Sequence, residues 1–89
     1  MVRKIKEGNN PYEQEITIYK ETSLQFEGTS YPDYDSFIDE IASFDYEIYY
    51  EDKADHVVYV TLEGVDMALC YEYVEDSDLV EVYLVDLLD

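Results

Sequence analysis

Positive charge is what this chain has least of: Lys and Arg number 5 against 23 Asp and Glu in 89 residues, a formal net charge of −18. Binding to nucleic acid or to an anionic membrane surface needs cations on the protein, so both are disfavoured as direct partners. One cysteine, Cys70, excludes an intramolecular disulfide and the disulfide-stapled secreted modules, and a reducing, cytoplasmic setting is expected. Gly8, Gly28 and Gly64 are too scattered to cradle a phosphate. No apolar run approaches the roughly 18 residues of a membrane span. The start, MVRKIKEGNNPY, has no apolar middle region of the kind a signal peptide carries.

What is present is an acidic, aromatic chain able to fold. Its hydrophobic content of 47 %, with 11 Tyr, is too high for a disordered acidic tail. At this length one core, and hence a single domain over residues 1–89, is expected. The charge is unevenly spread. Residues 1–20 hold four bases and three acids, net +1, whereas residues 21–89 hold one base, Lys53, and twenty acids, net −19. Solubility of a small domain needs a net charge of only about 2–8. The excess repels itself and weakens the compact state, which points to a basic partner, a cation-rich setting or high intracellular salt.

Residues 1–14 combine Arg3, Lys4 and Lys6 with the turn-forming Gly8, Asn9, Asn10 and Pro11, and read as a loose arm. EITIYK (15–20) and SLQFE (23–27) alternate apolar and polar residues and predict a short hairpin. Tyr34, Phe37, Ile38, Ile41 and Ala42 recur at helical spacing behind Asp33, a suitable N-cap, predicting a helix over about 33–43. Period two returns over 45–51, 55–63, 66–74 and 79–86, with Gly64 and Glu75–Asp78 at turns. Connections this short favour an antiparallel meander. The expected fold is α+β: an antiparallel sheet of about five to six strands, order ββαββββ, with one short helix on one face. A small barrel or sandwich is the alternative. The expected inner face holds Ile16, Ile18, Leu24, Phe26, Ile48, Val58, Val60, Leu62, Leu69, Val80, Val82 and Leu84.

Catalytic chemistry finds little support. His56, the one histidine, falls on the apolar side of its strand and reads as a structural residue rather than a general base. Cys70 lies among Ala68 and Glu72 with no nearby cation to stabilise a thiolate. With 23 acids, carboxylate pairs at glycosidase-like distances carry no signal. Glu75, Asp76 and Asp78 recur like a cation-binding turn but lack the spacing of a calcium loop. A non-enzymatic protein without cofactor or metal is expected.

The remaining surface is informative. On the polar sides of the strands stand Glu47, Tyr49, Glu51, Tyr59, Glu63, Asp66, Glu72, Glu81 and Tyr83. Residues two apart on a strand project from one face about 6.6 Å apart, so these carboxylates would form rows, as phosphates do. The tyrosines between them offer flat faces and hydroxyls to Arg and Lys of a partner. In being small, strongly acidic, one-domain and free of enzymatic motifs, residues 15–89 resemble the phage- and plasmid-encoded DNA-mimic inhibitors of anti-CRISPR and anti-restriction type. Those families share no motif, so no residue is carried over. The resemblance implies a cytoplasmic inhibitor, acting in a bacterial host, whose partner is a basic nucleic-acid-binding protein such as a nuclease or its complex. Alternatives are an immunity or antitoxin protein neutralising a basic toxin, and a solubility-driven acidic domain, monomeric or in a homo-oligomer.

Overall fold

Strands form where period two predicts them in the second half of the chain, and the first half is more helical than its alternation suggests. The computed structural model describes residues 11–88. Its elements are α1 (Pro11–Phe26), β1 (Ser30–Tyr31), α2 (Tyr34–Ser43), β2 (Glu47–Asp52), β3 (Val57–Leu62), β4 (Val65–Tyr73) and β5 (Val80–Leu87). The five strands make one open antiparallel sheet in the spatial order β1-β5-β4-β3-β2.

The expected hairpin over 15–27 is replaced by α1. Its alternation rested on two apolar positions per strand, whereas Ile18, Thr22 and Phe26 recur every fourth residue and are all buried. The polar member of this stripe is satisfied internally: Thr22 Oγ1 donates to the Ile18 carbonyl at 2.8 Å. Its one proton being used there, it accepts from the Tyr46 hydroxyl at 2.6 Å. Leu24 faces away, 86 % exposed, and Ile16 is half-buried, so neither belongs to the inner face of the sheet. Pro11–Gln14, expected in a loose arm, open this helix, with Pro11 at its first position, where an N–H would have no intrahelical acceptor. Residues 1–10, with Arg3, Lys4 and Lys6, lie outside the described residues. The order among the described residues is therefore αβαββββ, with two helices, and β1 is the two-residue Ser30–Tyr31 paired with Glu81 and Val80.

Helix α2 starts where predicted, the Ser36 N–H donating to Asp33 Oδ1 at 2.8 Å. It buries Phe37 and Ile41. These join Ile18 and Phe26 against Val58 and Val60 of β3, Met67 and Leu69 of β4, and Val80, Val82 and Val85 of β5 in one apolar cluster. Burial of each such side chain contributes about 1.5–3 kcal/mol. Phe26 packs edge-on to Tyr46, with ring centroids 5.5 Å apart. Both helices contribute to this single core, so among the described residues no helix covers the other face of the sheet.

Two irregularities alter the strand register. Ile48 opposes Val60 but Tyr50 opposes Tyr59, and Tyr71 opposes Val82 while Cys70 opposes Leu84. Tyr49 and Tyr83 are the extra residues, and each reverses the alternation beyond it. Leu84, expected inside, is consequently on the outer face and 41 % exposed. Strand β5 is longer than β1. Past the Gly28 and Thr29 hydrogen bonds to Val82, its Val85 N–H donates to the Glu27 carboxylate at 2.8 Å.

Candidate partner-binding face

Residues directly opposed in an antiparallel ladder share a face, so the register defines the surface that the helices leave open. On it Thr61 opposes Glu47 and Asp66, and Tyr59 opposes Tyr50 and Ala68. Ala68 in turn opposes Asp86, Cys70 lies between Val57 and Leu84, and Glu72 opposes Glu81. Tyr49 and Tyr50 cluster with Tyr59 at centroid distances of 6.2 and 5.8 Å. Tyr49, Tyr50 and Tyr83 are 51, 57 and 55 % exposed.

Of the residues expected to bind a partner, Glu47, Tyr49, Tyr59, Asp66, Glu72, Glu81 and Tyr83 share this open face or its register shifts. Glu51 does not. The shift at Tyr49 turns it toward the helices, where it opposes the buried Val58 and accepts from the Tyr34 hydroxyl at 2.7 Å. Glu63 does not either. With Gly64 it forms the two-residue hairpin closing Leu62 onto Val65, both turn residues having positive φ (52° and 81°) as a type I′ turn requires. Period two could not find Asp52, Tyr50, Leu84 and Asp86 together on the outer face, because a bulge has no sequence signature in alternation alone.

The electrostatics of the face are one-sided. Glu72 and Glu81 oppose each other directly, an arrangement that locally destabilises a sheet. Partial burial, with Asp66 and Tyr59 beside it, pushes the Tyr49 hydroxyl above its ordinary pKa. Burial, and then Asp86, pushes the Cys70 thiol up, which leaves it protonated and a poor nucleophile at neutral pH. The two lysines of the described residues lie elsewhere: Lys20 on α1, and Lys53 with its Nζ 4.8 Å from the centre of the Tyr34 ring.

That second lysine borders a cleft of about 300 Å³ lined by Asp33, Tyr34, Asp35, Lys53, Tyr73 and Asp78. Alternation does not join these residues, which come from the start of α2 and the residue before it, the β2–β3 connection, the end of β4 and the β4–β5 connection. Behind them Tyr71 is buried, its ring stacked on His56 at 5.1 Å. Its hydroxyl has no hydrogen-bond partner among the described residues. His56 itself has positive φ (58°), and its carbonyl accepts from Tyr71 N at 3.0 Å, so it serves as a packed turn residue. The Glu75–Asp78 segment is a tight turn in which Ser77 Oγ donates to the Val74 carbonyl at 2.9 Å. No group of three His, Cys, Asp or Glu side chains converges as a metal site among the described residues. No helix among them is long and apolar enough to cross a membrane. No known protein family, curated protein or solved structure matches the chain.

Proposed function

We propose that the chain is an acidic inhibitor that docks its helix-free sheet face into the nucleic-acid-binding site of a basic nuclease or its complex, standing in for the phosphate backbone. It would act in the cytoplasm of a bacterial host and carry out no reaction of its own. The observation that carries this reading is the directly opposed pair Glu72 and Glu81, on a face that also bears Glu47, Asp52, Asp66 and Asp86 and neither of the described lysines. The fold has no use for that repulsion, and cations supplied by a partner would relieve it.

Affinity capture from a bacterial lysate tests the reading, with duplex DNA and then salt as successive eluents. A basic nucleic-acid-binding protein released by DNA, and not captured by a Glu72→Lys/Glu81→Lys variant, is the expected result. A partner that DNA cannot displace, or equal capture by the variant, would move the site away from this face.

A further inference from the structure

The open face carries more than charge. Its centre is an apolar and aromatic band that steps diagonally across four strands: Leu84, Cys70 and Val57 in one row, which ends at Asp52, and the buried Ala68 with Tyr59 and Tyr50 in the next, which begins at Asp86. Carboxylates border the band on both sides, Glu72 and Glu81 on one and Asp66 and Glu47 on the other. A pure imitation of a phosphate backbone would need no such centre. Leu84 and Tyr50, at its two ends, are 41 and 57 % exposed.

We infer that this band seats an amphipathic, basic α-helix of the partner, its apolar stripe on the tyrosines and its flanking Lys and Arg on the two acidic borders. The inference rests on the acidic-inhibitor reading and specifies what is bound. Three physical points select a helix. Asp66 and Glu72 are six residues apart on one strand, about 20 Å, which leaves room for a helix roughly 10–12 Å across with basic side chains reaching outward on either side. Four strands span about 14 Å, the length of about ten helical residues. An extended segment laid on the same apolar band would leave backbone N–H and C=O groups without partners, whereas a helix satisfies its own. Charge complementarity selects the sign: a second copy of the chain or an anionic membrane would bring like charges onto the acidic borders.

The test uses three labelled peptides of about fourteen residues, of one Leu/Lys composition, arranged as an amphipathic helix, as a scrambled sequence and as strict alternation. Fluorescence anisotropy reads their binding to the intact chain at about 0.05 and about 0.5 M NaCl. The helical peptide should bind at least about tenfold more tightly than the other two and keep measurable affinity at the higher salt. A Leu84→Asn/Tyr50→Ser variant, with folding checked by circular dichroism, should lose about that tenfold for the helical peptide and leave the scrambled one unchanged. Equal binding of helical and scrambled peptides would overturn the helix site while the acidic-inhibitor reading stands. Tightest binding of the alternating peptide would overturn it in favour of an extended occupant. Failure of every cationic peptide to bind would overturn both.

Discussion

The Tyr34 hydroxyl donates to Glu51 Oε1 at 2.7 Å, tying the first turn of α2 to edge strand β2 on the covered side of the sheet. Tyr34→Phe should lower the unfolding free energy by about 1 kcal/mol, read from urea denaturation. Glu51→Gln should leave partner capture intact, because this carboxylate faces the helices. Loss of capture in that variant would shift the binding surface to the junction of α2 and β2.

Helical phase in residues 11–26 can be read from two substitutions. Phe26 is fully buried and Leu24 is 86 % exposed. Phe26→Ala should destabilise by about 3–5 kcal/mol, and Leu24→Ala should stay within about 0.5 kcal/mol. Thermal melts of the two variants check this, and similar losses in both would be inconsistent with α1.

Glu72 and Glu81 separate stability from binding. Glu81→Thr removes a like-charge pair across β4 and β5. It should stabilise the free chain by about 0.2–1 kcal/mol while weakening partner capture. A variant that loses stability would show that the opposed pair is accommodated by something other than a partner.

Alkaline pH should unfold the chain earlier than its carboxylates alone would dictate. Burial, foremost, pushes the hydroxyls of Tyr31, Tyr34 and Tyr71 above the ordinary value of 10.0, with Glu51 adding to the effect on Tyr34. The unfolded chain releases these protons first, so their contribution is complete below about pH 10 and is lost as the pH rises toward the folded-state values. The urea midpoint should therefore hold up to about pH 10, fall as the pH rises from there to about 12, and fall less steeply in Tyr34→Phe.

Cys70 offers a probe of the open face. Its raised thiol pKa and half-buried position predict alkylation slower than that of free glutathione at neutral pH. Bound partner should slow the reaction further. Unchanged labelling in the complex would exclude occupation of the face around Leu84 and Val57.

The α+β class, the open antiparallel sheet, α2 with its Asp33 cap and the course of the last four strands were legible because each rests on a repeated local pattern. Period two over Val57–Leu62 survives in the structure with Val58 and Val60 inside. Residues 15–27 misled because Ile16 and Ile18 alternate only once, and the helical stripe that competes with them contains a threonine. Nothing in its side chain announces that Thr22 will be buried: its hydroxyl is satisfied by Ile18 one turn back and by Tyr46, twenty-four residues on. Glu51 and Leu84 were misplaced for another reason. Each follows a register shift, and the shift depends on how neighbouring strands meet rather than on either strand alone.

The Glu27 carboxylate occupies the Val85 N–H at the free end of β5. At the opposite border β2 carries a register shift and ends in Glu51 and Asp52. Both features disfavour the pairing of a further strand at these borders. On the acidic-inhibitor reading proposed above, association would be confined to the broad face, where one molecule accepts one partner. Complexes of this protein should accordingly be discrete and of fixed one-to-one stoichiometry, saturating at equivalence rather than growing into fibres as concentration rises.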